Sequence, residues 1–242
     1  MNKHIDLNCD LGEGMPNDEA LMKLITSANI ACGAHAGDEA TMRHTVELAN
    51  RHNVAIGAHP GFPDKPNFGR LELPLSENQI ESLVRIQIEK LTAITKITHV
   101  KPHGALYNMA ARDERIAQAI ARAIHAVDPR LTLVGLTGSA MIRAAHQLNL
   151  PAANEVFADR TYQPDGSLTP RSRPDALIKT PLQCVDQVLR MVQHGTVSAT
   201  DGSTIPVQAD TICLHGDGEH AIAFATLLRS ALQSAGIEIR HF

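Results

Sequence analysis

Four of the thirteen histidines end predicted strands, each with a glycine one or two residues on: His35-Ala36-Gly37, His59-Pro60-Gly61, His103-Gly104 and His215-Gly216. Imidazole moves protons and ligates metals near neutral pH. An adjacent glycine lets the backbone turn tightly or approach a ligand closely. Asp10, Glu155, Asp159, Asp217 and Lys101 occupy comparable places in the chain. This set suits general acid–base work, stabilisation of developing negative charge, or a divalent cation. No His-Glu-x-x-His or comparable spacing singles out a metal set.

Each residue also has a plain structural reading. A lone histidine at a strand end is as often a hydrogen-bonded structural group as a ligand contact, so it is the convergence of four that points to a site. Lys101 is as well suited to neutralising neighbouring carboxylates as to catalysis. Glu13, in Gly12-Glu13-Gly14, reads as a solvated turn residue, and Asp38 as the cap of the helix carrying Met42 and Val46. Arg160, Arg171 and Arg173 read as loop charges, although a carboxylate substrate would need such a donor. The sequence has no Gly-x-x-x-x-Gly-Lys-Ser/Thr phosphate loop, no third glycine to complete a dinucleotide fingerprint after Gly12-Glu13-Gly14, and no Gly-x-Ser-x-Gly elbow.

The elements that must position these residues alternate along the chain. Seven β-rich runs, at 5–10, 29–35, 55–59, 99–103, 131–137, 155–159 and 211–215, are each followed by a helical candidate, which is the pattern of a parallel sheet. Ser76 and Gln79 form a capping box ahead of a stripe of Ile80, Leu83, Val84, Ile88, Leu91 and Ile94. Ile116, Ala119, Ile120, Ala123, Ile124 and Val127 repeat the stripe. Thr180-Pro181 opens another helix, with Gly195 placed to end it. In the first strand Asp6, Asn8 and Asp10 alternate with Ile5, Leu7 and Cys9, so the polar face must point into a barrel. The same sorting puts Asn29, His35, His99, Lys101 and His103 inside. In such barrels the site forms at the C-terminal ends of the strands. Segments 61–75 and 160–174 are long loops of the kind that serve a site, and 197–207 resembles a hairpin around Asp201-Gly202.

With 242 residues, 43% of them hydrophobic, the chain is sized for one seven-stranded parallel (β/α) barrel domain spanning 1–242. A net charge of -4 with scattered Lys and Arg carries no footprint for nucleic acid or anionic membrane. Four cysteines without a Cys-x-x-Cys pair read as reduced thiols. No signal-peptide pattern or long apolar run is present, so a cytoplasmic location is expected.

The motifs in order resemble the LamB/YcsF family, the 5-oxoprolinase A subunits, over nearly the whole chain. They run from Asp6-Leu7-Asn8-Cys9-Asp10-Leu11-Gly12-Glu13-Gly14 through Asn29-Ile30-Ala31-Cys32-Gly33, His35-Ala36-Gly37-Asp38 and Gly57-Ala58-His59-Pro60-Gly61. Val100-Lys101-Pro102-His103-Gly104, Glu155-Val156-Phe157-Ala158-Asp159-Arg160 and Leu214-His215-Gly216-Asp217 complete the series. Ala34 stands where the family typically has Phe, and Leu71 where a second Arg is common. The resemblance implies a barrel like those of the glycoside hydrolase/deacetylase superfamily, working with B and C subunits. It implies opening of 5-oxo-L-proline to L-glutamate with ATP as cosubstrate. The expected catalytic residues are Asp10, His59, Lys101, His103 and Glu155. The expected substrate-binding residues are Asn8, His35, Asp159, Arg160, His215 and Asp217. Rival readings are a stand-alone metal-dependent amide hydrolase or deacetylase with Asp10, His59 and His103 as ligands, a non-catalytic binding subunit, and a Schiff-base lyase acting through Lys101.

Overall fold

Strand alternation builds the architecture in a computed structural model that describes residues 4–214 and 221–242. In β1 (His4–Leu11), Ile5, Leu7 and Cys9 are fully buried in the apolar layer, while Asp6, Asn8 and Asp10 face the interior polar groups. The following strands are β2 (Ser27–Ala31), β3 (Ala55–His59), β4 (His99–Val100), β5 (Thr132–Leu136) and β6 (Ala152–Phe157). A short antiparallel hairpin, β7 (Thr196–Ser198) and β8 (Thr204–Pro206), then precedes β9 (Thr211–Leu214). Each barrel strand pairs in parallel with the next, and β9 pairs with both β6 and β1, so seven strands close the ring. β10 (Glu238–Ile239) adds in parallel to the start of β1.

The connecting helices are α1 (Asp18–Met22), α2 (Glu39–His52), α3 (Glu77–Thr92), α4 (Gly104–Arg112), α5 (Glu114–Val127), α6 (Ala140–Gln147), α7 (Pro181–His194) and α8 (Ala221–Ser234). Their boundaries follow local chemistry. Ser76 and Gln79 cap α3 reciprocally, the Asp38 carboxylate caps α2, and Gly195 ends α7 in the left-handed region. Ile80, Val84, Ile88 and Leu91 of α3 are fully buried, and the helix packs against α5.

Two strands are shorter than the sequence suggests. β2 stops at Ala31 because Gly33 and Gly37 take positive φ, so His35 lies on the loop beyond it and not on the strand. β4 ends at Val100, since Pro102 offers no N–H to a ladder. Extended pairing nevertheless continues from Lys101 N–H to the Ala58 carbonyl and from His103 N–H to that of Pro60, which keeps both side chains inside. β6 starts three residues earlier than expected and ends at Phe157, which leaves Asp159 and Arg160 on the following loop.

The barrel interior is a polar network where aliphatic layers are the usual filling. At the N-terminal end the buried Asp6 carboxylate accepts from the hydroxyls of Thr26, Ser27 and Thr211, and the C-terminal His241 and Phe242 lie against Ser27 and His99. Asn29 then links His99 to Asn8 and Asp10 above it.

Candidate functional site

Lys101 is the hub of the floor. Its ammonium lies 2.9 Å from Asp10 Oδ1 and 2.8 Å from Glu155 Oε1, and it donates to Asn8 Oδ1 at 3.2 Å. Only 2% of this residue is exposed. Burial alone would favour the neutral amine, but Asp10, Cys213 and Glu155 hold Lys101 well above its ordinary range. Burial likewise opposes ionisation of Asp10, yet His59 and Lys101 hold that carboxyl well below its ordinary range. Both directions describe an ion pair. Asn8 spans the barrel, donating to Glu155 and Thr211.

Above the floor three imidazoles and a carboxylate converge. His59 Nδ1 meets the Lys101 carbonyl at 2.7 Å, and His103 Nε2 meets the Phe68 carbonyl at 2.8 Å. A carbonyl only accepts, so both of those nitrogens carry hydrogen. His59 Nε2 and His103 Nδ1 are left facing each other at 3.0 Å. Two bare lone pairs repel at that separation, so the pair needs a proton or a cation between them. Asp10 Oδ2, 3.3 Å from His59 Nε2, favours the imidazolium and raises His59 despite its burial. Burial and the nearby His59 charge lower His103 to about 2 and His35 to about 3, so both are neutral.

Glu13 completes the cluster. Its Oε1 lies 3.1 Å from His35 Nε2 and 3.4 Å from His103 Nδ1. Ligating atoms from Glu13, His35, His59 and His103 all fall within 4.8 Å of one another. His35 Nδ1 is buried without a partner among the described residues. Three neutral-capable imidazoles and one carboxylate, two of the rings oriented by backbone carbonyls, fit a divalent cation of the zinc class. His35 and His103 stack with centroids 3.7 Å apart. Gly69 makes that stack possible, because a Cβ there would lie 2.7 Å from His35 Cβ and its φ is +63°. The cavity above is lined by Asp10, Glu13, His59, Lys101 and His103, with Tyr107 and Phe157 among its apolar walls.

The profile of the LamB/YcsF family matches residues 5–242. This chain belongs to the LamB/YcsF family. It is 54% identical over 247 residues to the 5-oxoprolinase A subunit of Geobacillus thermodenitrificans (strain NG80-2), covering 98% of this chain and 96% of that protein. The crystal structure of the lactam utilization protein from Thermus thermophilus superposes with a TM-score of 0.93 at 42% identity, covering 99% and 100% of the two chains. A T48 deacetylase solved with its substrate shares the fold at a TM-score of 0.52 and 17% identity, over 99% of this chain and 88% of that one.

The family blocks meet unevenly in space. Asp10, His59, Lys101 and His103 share the cavity, while Asn8 and Glu155 lie beneath it and act on it through Lys101. His35 sits behind His103 and does not line the cavity. Arg160 lines it, but donates to the carbonyls of Thr169 and Ala176. Asp159 is partly exposed outside it. His215 and Asp217 lie outside the described residues. Glu13 belongs to the site although its sequence context reads as a solvated turn. Gly12 and Gly14 take positive φ on either side of it and fold its carboxylate back over the barrel mouth. The flanking glycines mark a tight turn after a strand, as they do for the histidines, but not which way the carboxylate faces.

Proposed function

We propose that this chain is the A subunit of an ATP-dependent 5-oxoprolinase, opening 5-oxo-L-proline to L-glutamate together with B and C subunits. The observation that carries this reading is the near full-length match to a 5-oxoprolinase A subunit, joined to a cavity whose floor holds an acid–base pair on an ion-paired lysine. An unstrained lactam resists water at neutral pH, so activation must come first. Transfer of the γ-phosphoryl group of ATP to the lactam oxygen releases ADP and makes the ring carbon electrophilic. Water then adds to that carbon, the carbon–nitrogen bond breaks as nitrogen takes a proton, and γ-glutamyl phosphate results. A second water yields L-glutamate and phosphate.

In this scheme His103, neutral with its Nδ1 lone pair bare, takes the proton from water, and the His59 imidazolium held by Asp10 returns one to nitrogen. Lys101 keeps Asp10 ionised and in place from beneath. A divalent cation held by Glu13, His35, His59 and His103 would supply Lewis acidity to the same cavity in place of proton transfer by those imidazoles. That cluster also favours a second reading, a stand-alone metal-dependent amide hydrolase. One assay separates the two. L-glutamate and phosphate formed from 5-oxo-L-proline, with and without ATP, are measured for this chain alone and with its co-purifying partners, before and after chelation. The proposal expects turnover only in the assembly; lactam opening by the isolated chain without ATP would refute it in favour of the metal hydrolase.

A further inference from the structure

A second, larger cleft opens from the same barrel mouth. It has a volume of ≈ 770 Å³, against ≈ 80 Å³ for the cavity over Asp10 and His59. The two share Arg70, Gly104, Asn108, Arg160, Leu168 and Arg171 on their rims. A volume of that order accommodates a drug-sized or nucleotide-sized ligand. Five arginines line the cleft, Arg70, Arg112, Arg143, Arg160 and Arg171, against the carboxylates Glu72 and Asp165. Glu72 pairs with Arg112, Asp165 accepts from the backbone and hydroxyl of Ser167, and Arg143 pairs with Glu114.

Arg160 is the telling group. It is 6% exposed, and its guanidinium donates to the neutral carbonyls of Thr169 and Ala176, with no carboxylate within 4.0 Å among the described residues. Burial and the neighbouring Arg171 charge lower it to about 10. A desolvated cation with no carboxylate in direct contact among the described residues, and with Asp159 raising it only at longer range, is costly to keep. At the far wall, Gly138-Ser139 leads into α6, whose first backbone N–H groups point out of the helix end. Ser139 lines the cleft at 7% exposure, and its hydroxyl caps nothing and has no partner among the described residues.

We propose that this cleft binds a phosphate-bearing anion, with its terminal phosphate at Arg160 and Arg171 where cleft and cavity meet. Guanidinium forks and helix N-termini are the groups that suit phosphate oxygens. The site needs no Gly-rich loop, which accounts for a sequence that lacks one. Identification of the anion as the triphosphate of the cosubstrate rests on the ring-opening reading; the anion site itself does not.

The test is isothermal titration of the full chain with inorganic phosphate, pyrophosphate and ATP, in the absence of 5-oxo-L-proline. The variants are Arg171→Met and Ser139→Ala, with Arg130→Met, on the exposed Asp128 pair outside the cleft, as control. Pyrophosphate and ATP should bind competitively, and Arg171→Met should weaken both by about tenfold or more while Arg130→Met leaves them unchanged. Binding of phosphate and pyrophosphate without ATP, with the same variant pattern, would support the anion site and assign it to a free phosphate. Absence of binding by all three probes, or equal binding by Arg171→Met and Arg130→Met, would overturn the proposal. Failure of 5-oxoproline turnover would count against the ring-opening reading alone.

Discussion

Replacing Lys101 with Met removes the cation that two carboxylates share. A lysine in a solvated barrel mouth would make this change mild. The structure gives the opposite setting, because the lysine and Glu155 side chains are 3% and 0% exposed and that of Asp10 17%. Breaking a buried ion pair from one side costs about 3–5 kcal/mol. At about 2–4 °C per kcal/mol for a chain of this length, the melting temperature should fall by roughly 6–20 °C. The deficit should also depend on pH. Without the ammonium, His59 is left to oppose the burial that raises Asp10, so its folded-state pKa moves up from its low wild-type position. The lowered carboxyl stabilises the wild type above the unfolded carboxylate pKa and that advantage is lost as pH falls, so the gap to wild type narrows on acidification. Thermal melts by circular dichroism at pH 4 and pH 8 measure both effects. A variant melting within about 2 °C of wild type at pH 8 would refute the claim that Lys101 is a buried hub.

His103→Gln should fold, keep its melting temperature within about 5 °C, and lose on the order of a hundredfold or more in turnover of the assembled enzyme, read as phosphate release. Gly69→Ala combines a left-handed backbone with a Cβ 2.7 Å from His35, so it should destabilise by about 1–3 kcal/mol in urea unfolding and disturb the stacked histidines. Acid sensitivity should begin well above the carboxylate range. His35 and His99 are lowered to about 3 and His103 to about 2, so below the unfolded histidine pKa the unfolded chain binds protons that the folded one refuses, and stability falls with pH. His59 is raised and contributes in the opposite sense, lost as pH rises through its folded value. His99→Gln, at the closed end of the barrel, should flatten the decline between pH 6.5 and 5; an unchanged slope in denaturant titrations would count against it.

The barrel is legible in the sequence because alternation in β1 and the apolar stripes of α3 and α5 are short-range consequences of burial. Strand ends are less so, since Gly33 and Pro102 stop ladders at places where residue preference alone continues them. The site histidines can be found because each stands beside a glycine at a strand exit. What cannot be read is distance. Whether Lys101 is solvated or locked between Asp10 and Glu155 depends on three strands meeting at one level, and the 3.0 Å approach of His59 to His103 depends on carbonyls from two loops. Glu13 escapes a reading of the sequence because a Gly-Glu-Gly turn carries the same local signature whether its carboxylate faces water or a neighbouring strand end.

Whether this cavity opens the lactam is tested most directly by the products of the full assembly. L-glutamate and phosphate formed from 5-oxo-L-proline and ATP are measured for assemblies built with the wild-type chain or with a folded His59→Gln, His103→Gln chain that still assembles. Catalysis in the cavity predicts glutamate and phosphate in equal amounts from the first and almost none from the second. Equal turnover by both assemblies would contradict it.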